Sequence, residues 1–118
     1  MSAEYSSSGN ATTLASDVSF MQGVWIEALL TFFLVSAVFG TAVSSEAPKI
    51  AGFGIGLAIF VDALVGGGFT GAVMNPARAI GPALVAWQWN AHAVYWIGPL
   101  IGAGVAGAVW KAVLLPRT

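Results

Sequence analysis

Polar and apolar positions are segregated along this chain into long blocks. Residues 1–16 are rich in Ser, Thr and Asn without hydrophobic periodicity, and 1–17 read as a polar arm or extramembrane loop remnant. Within it Asn10-Ala11-Thr12 matches a glycosylation acceptor, a short and weakly specific motif. An apolar block then runs from about Phe20 to Val43, with Glu27 as its one charge. A polar break at 44–49 contains Pro48, which cannot continue a helix, and Lys49. The second block, about 50–65, also holds one charge, Asp62, and closes on Gly66-Gly67-Gly68, a run expected to end a helix. The last, about 93–115, is bordered by Lys111 and Arg117. A spanning helix needs ~20 apolar residues. The pattern predicts an all-α membrane protein with three transmembrane helices.

Residues 69–87 break the pattern. A helix over 75–85 is too short to cross at about 1.5 Å per residue. Gly81-Pro82 is expected to interrupt it, and a glycine-rich approach precedes it. A re-entrant loop and half-helix fits better, since irregular backbone at depth is tolerated where protein or a wet cavity borders it. With that topology Lys49, Lys111 and Arg117 share one side, predicting the amino terminus outside and the carboxyl terminus in the cytoplasm. Gly52 and Gly56, and Gly98, Gly102 and Ala106, recur at four-residue spacing that allows close helix approach.

Composition agrees with a lipid solvent. Of 118 residues, 58% are hydrophobic and 8% charged, too few polar groups to cover a soluble globule. A net charge of −1 excludes nucleic acid as a partner. The absence of cysteine excludes disulfides, thiolate metal sites and thiol nucleophiles. With no Lys or Arg before Lys49, the start lacks the charged region of a secretory signal. No serine-hydrolase, paired-histidine or phosphate-loop pattern is present, so no catalytic residue, cofactor or metal is expected.

The candidate chemistry sits in Gly71-Ala72-Val73-Met74-Asn75-Pro76-Ala77-Arg78. Asn is a favoured helix cap, and Pro fits the first helical position, where its missing N–H costs nothing. Such a half-helix presents free N–H groups and about half a positive charge. Water can accept a hydrogen bond from the Asn75 amide, while a cation is repelled by the helix end and by Arg78. Arginine at membrane depth normally faces a cavity or a partner. Glu27 and Thr31, four apart on one face, are placed to accept the backbone donors of the unwound segment. Asp62 is left open between solvation near a helix end and a titrating role. His92 with Trp87, Trp89 and Trp96 reads as an aromatic belt at the outer interface.

These residues resemble the second half of an aquaporin of the major intrinsic protein family. Phe69-Thr70-Gly71-Ala72-x-x-Asn75-Pro76-Ala77-Arg78 followed by Gly81-Pro82-Ala83 resembles the second NPA loop. Glu27-x-x-x-Thr31-x-x-Leu34 is similar to the fourth-span motif, and Trp96-Ile97-Gly98-Pro99-Leu100-x-Gly102 to the sixth span. The likeness covers about 18–115 and implies half of a right-handed aquaporin-like bundle. By position, Asn75, Pro76 and Ala77 would form the pore constriction. Arg78, Ala63 and Ala72 would form the selectivity filter, with Glu27 and Thr31 as support of the loop. Ala79, Ala83 and Tyr95-Trp96 resemble the water-selective branch, yet two filter alanines leave room for glycerol, urea or ammonia. Asp62 falls where some plant vacuolar relatives have Asn. The implied partners are the lipid bilayer, water or small neutral solutes, and an amino-terminal half or intact subunits, possibly in a tetramer.

The family has two inverted halves, and a pore needs both half-helices. This chain has one NPA motif, so a carboxyl-terminal half is expected. The rival expectations are a small proton-coupled transporter using Glu27 and Asp62, and an inert fragment associating with intact channels.

Overall fold

The computed structural model describes residues 13–116, and every regular element among them is helical. The arm over 1–12, including Asn10-Ala11-Thr12, and the flanking Arg117 lie outside the described residues.

Helix α1 (Phe20–Val38) starts on a capping box. The Ser19 hydroxyl accepts the Gln22 N–H at 3.2 Å, and Gln22 Oε1 accepts the Ser19 N–H at 2.9 Å. The helix runs on through a π-helical turn, Phe39–Val43, giving one apolar rod of 24 residues. Helix α2 (Phe53–Thr70) starts three residues later than expected, after Ala51 in a left-handed conformation.

It also ends later than expected, because the glycine triplet does not break it. The helix continues to Thr70 and stops at left-handed Gly71, whose N–H reaches the Gly67 carbonyl at 3.1 Å. Each helical glycine costs about 1 kcal/mol relative to alanine. At Gly66 packing requires it, since a Cβ there would collide with the Leu30 side chain on α1.

Helix α3 (Pro76–Ala86) has 11 residues and includes Pro82 without interruption, contrary to the break expected at Gly81-Pro82. Its length is about 16 Å, near half of a ~30 Å hydrocarbon core. Trp87, left-handed at φ 50°, ends it. Helix α4 (Val94–Val109) is extended by a second π-helical turn, Trp110–Leu114.

Packing centres on α1, which lies mainly against α4 and next against α2. Gly98 and Gly102 make the close approach possible. A Cβ at 98 would meet the Val24 carbonyl at 2.8 Å, and one at 102 would run into the Ala28 carbonyl. The Gly52 and Gly56 pair expected to act similarly faces open space, and α2 instead uses Gly54 and Gly66. Helical spacing marked the small residues but not which face met a neighbour.

Three helices, Phe20–Val43, Phe53–Thr70 and Val94–Leu114, are long and apolar enough to cross a bilayer. They leave Trp25, Phe53, Phe60, Leu64 and Leu100 exposed, surface that suits lipid or protein rather than water. This is an all-α, multi-pass membrane architecture with a short fourth helix set between the second and third crossings.

Candidate functional site

The loop joining α2 to α3 is held from one side and open on the other. Gly71, Ala72 and Met74 adopt positive φ angles of 87°, 50° and 60°. For residues with a Cβ this costs of order 1–3 kcal/mol each and persists only where surroundings impose it. The twist turns successive N–H groups toward α1, where Glu27 is fully buried.

Glu27 collects them. Its Oε1 accepts the Val73 N–H at 3.1 Å and the Thr70 hydroxyl at 2.6 Å, and Oε2 accepts the Met74 N–H at 2.7 Å. Charge-assisted bonds of this kind contribute about 1.5–3 kcal/mol each. The Thr70 hydroxyl also accepts the Ala72 N–H at 3.2 Å. From α4, the buried Tyr95 hydroxyl donates to the Thr70 carbonyl at 2.6 Å. Thr31 makes only a long 3.5 Å approach to the Met74 carbonyl. Val73 packs with Ala79 and Tyr95 beneath the loop. Buried backbone donors therefore find acceptors without water.

The other side carries the cap. Asn75 is extended at φ −161°, and its Oδ1 accepts the Ala77 N–H at 2.8 Å. Pro76 takes the first helical position, as the dipeptide implied. Asn75, Ala77 and Arg78 are exposed, and Pro76 is half-buried. Arg78 Nη1 donates to the Val73 carbonyl at 3.2 Å, tethering the guanidinium along the loop. Ala63 on α2 is exposed, whereas the Ala72 methyl is 2% exposed and packs against Leu30 and Met74.

Asp62 lies elsewhere. Because α2 reaches Thr70, this residue is mid-helix rather than near a helix end, and it is 4% exposed against α1. His92 accepts the Trp96 indole N–H at 2.9 Å on Nε2, with the Trp89 ring 4.9 Å away and Trp87 beyond it. No cluster of potential metal ligands occurs among the described residues.

Residues 1–110 match the family described as Major intrinsic protein. The chain belongs to that family. Among relatives of this major intrinsic protein, Aquaporin TIP4-1 of Arabidopsis thaliana is 48% identical over 108 residues, 89% of this chain and 43% of that protein. Probable aquaporin TIP3-2 of Oryza sativa subsp. japonica is 49% identical over 104 residues, 86% of this chain and 39% of its own. Aquaporin TIP1-2 of Musa acuminata is 45% identical, covering 90% and 43%. The chain thus spans about two fifths of the length of these curated relatives. Family and apolar helices together make it an integral, multi-pass membrane protein of a channel family rather than an enzyme family.

Two contributors to the site, Thr70 and Tyr95, figured in the sequence only as members of motifs and not as supports of the loop. A threonine before glycine at a helix end is a local backbone-bonding signal. A buried tyrosine needs a partner for its hydroxyl. Neither signal names a partner 25 residues away.

Proposed function

We propose that this chain is the carboxyl-terminal half of an aquaporin-type channel for passive passage of water and small neutral solutes, completed by an amino-terminal half. One observation carries the reading: a buried carboxylate fixes the loop from behind, leaving the Asn75-capped helix start and Arg78 uncovered on the opposite side. Those groups form the constriction and the filter. Asn75 and the helix start offer donors to a water oxygen, and the positive end with Arg78 repels cations. Ala63 and Ala77 are exposed, and Gly56 and Gly67 of α2 meet no neighbour. That small-residue face suits a second half-helix and a file of water. Ala72 contributes through its backbone, its methyl being packed inward.

The half-length match supports a complementary partner, either an amino-terminal half or intact subunits in a tetramer. The amino terminus lies outside and the carboxyl terminus in the cytoplasm, by the placement of Lys49 and Lys111. A proton-coupled transporter is disfavoured, because Glu27 already accepts three bonds from the loop. Stopped-flow shrinkage of proteoliposomes tests the proposal. Co-reconstitution with an amino-terminal aquaporin half is expected to raise water permeability at least tenfold over lipid alone, with no proton current. Unchanged permeability with both halves folded would overturn it.

A further inference from the structure

We infer that the cleft between α1 and α2 around Asp62 is a binding site for a single-chain amphiphilic primary amine. The cleft has a volume of about 400 Å³, within the ~300–1,000 Å³ of small-molecule sites, and is walled by Leu29, Leu30, Phe33, Leu57 and Val61. Asp62 is its one ionisable group. It is 4% exposed, and its Oδ2 has no hydrogen-bond partner among the described residues. A buried carboxyl oxygen left without a donor is costly, more so at membrane depth. The fitting ligand supplies one strong donor and an otherwise apolar body. A primary amine does so, sharing one proton with the carboxyl so that the pair carries no net charge.

Depth and direction narrow the choice. Asp62 is the tenth residue of an 18-residue span, so it lies roughly 12–14 Å from either end at 1.5 Å rise. An ethanolamine headgroup anchored at the interface does not reach it, whereas a mobile amine dissolved in the bilayer does. At 100° per residue, Leu57, Val61 and Val65 fall on the side of α2 away from Ala63. The site is therefore separate from the proposed water route. Its occupancy does not depend on that route being right.

The test uses octylamine and octanol as probes, with the chain in phosphatidylcholine nanodiscs and thermal melting as readout. Octylamine is expected to raise the melting temperature at about tenfold lower concentration than octanol. Asp62→Asn should abolish that difference and leave the octanol response unchanged. Leu57→Trp, which fills the cleft and keeps the carboxyl, should abolish it too. The comparison within the wild-type chain needs no variant to fold. Equal responses to amine and alcohol, or an undiminished amine preference in Asp62→Asn, would overturn the site. So would phosphatidylethanolamine discs that block octylamine, since the headgroup would then be the ligand.

Discussion

A single side chain, Glu27, decides whether the loop before Asn75 can exist in its observed form. The loop has Ala72 and Met74 at positive φ, a conformation their side chains oppose. Three bonds into one carboxylate outweigh that cost. Glu27→Gln keeps the shape but turns an amide donor toward the Met74 or Val73 N–H, so two donors face each other. The expected loss is about 3 kcal/mol, read as a lower melting temperature in nanodiscs; an unchanged value would mean that the loop is held by packing alone. Residue-scale chemistry was the part best foreshadowed in the sequence, because an acidic residue in an apolar block and an Asn-Pro pair each carry local rules. The long-range partners of Thr70 and Tyr95 carried none.

Helices were less legible than the residues on them. Gly66-Gly67-Gly68 is a poor helix sequence, yet α2 runs through it, and Leu30 of α1 fills the space that Gly66 leaves. Pro82 likewise stays inside α3. In both cases the helix continues against a local propensity of about 1–3 kcal/mol. Spacing also marked Gly52 with Gly56 no less than Gly98 with Gly102, and only contact separates them. On α4 that separation is testable. Gly102→Ala drives a methyl into the Ala28 carbonyl and should destabilise by roughly 1–3 kcal/mol. Gly104→Ala meets open space and should be neutral or slightly stabilising. Equal effects in thermal melting would show that α1 and α4 are not packed as described.

At the scale of the molecule, the helices sort their surfaces into three kinds. One kind is buried between α1 and its neighbours. A second is broadly apolar and includes Trp25, Leu64 and Val85, suited to lipid. The third is made of exposed small or polar positions, Ala63 on α2 and Asn75, Ala77 and Arg78 at the start of the short helix. The sequence announced the three crossings and the short helix through its hydrophobic blocks. It did not announce which sides of α2 would be left uncovered, since that follows from where α1 lies. The most direct measurement exploits the lack of cysteine in the chain. Single cysteines at 63, 75 and 77, and at the equally uncovered 65, are placed in turn into the chain co-reconstituted with an amino-terminal aquaporin half. A small water-soluble thiol reagent is then added. The account expects positions 63, 75 and 77 to react at least tenfold faster than 65, because only they border water. Equal rates at all four, or reaction at 65 alone, would contradict it.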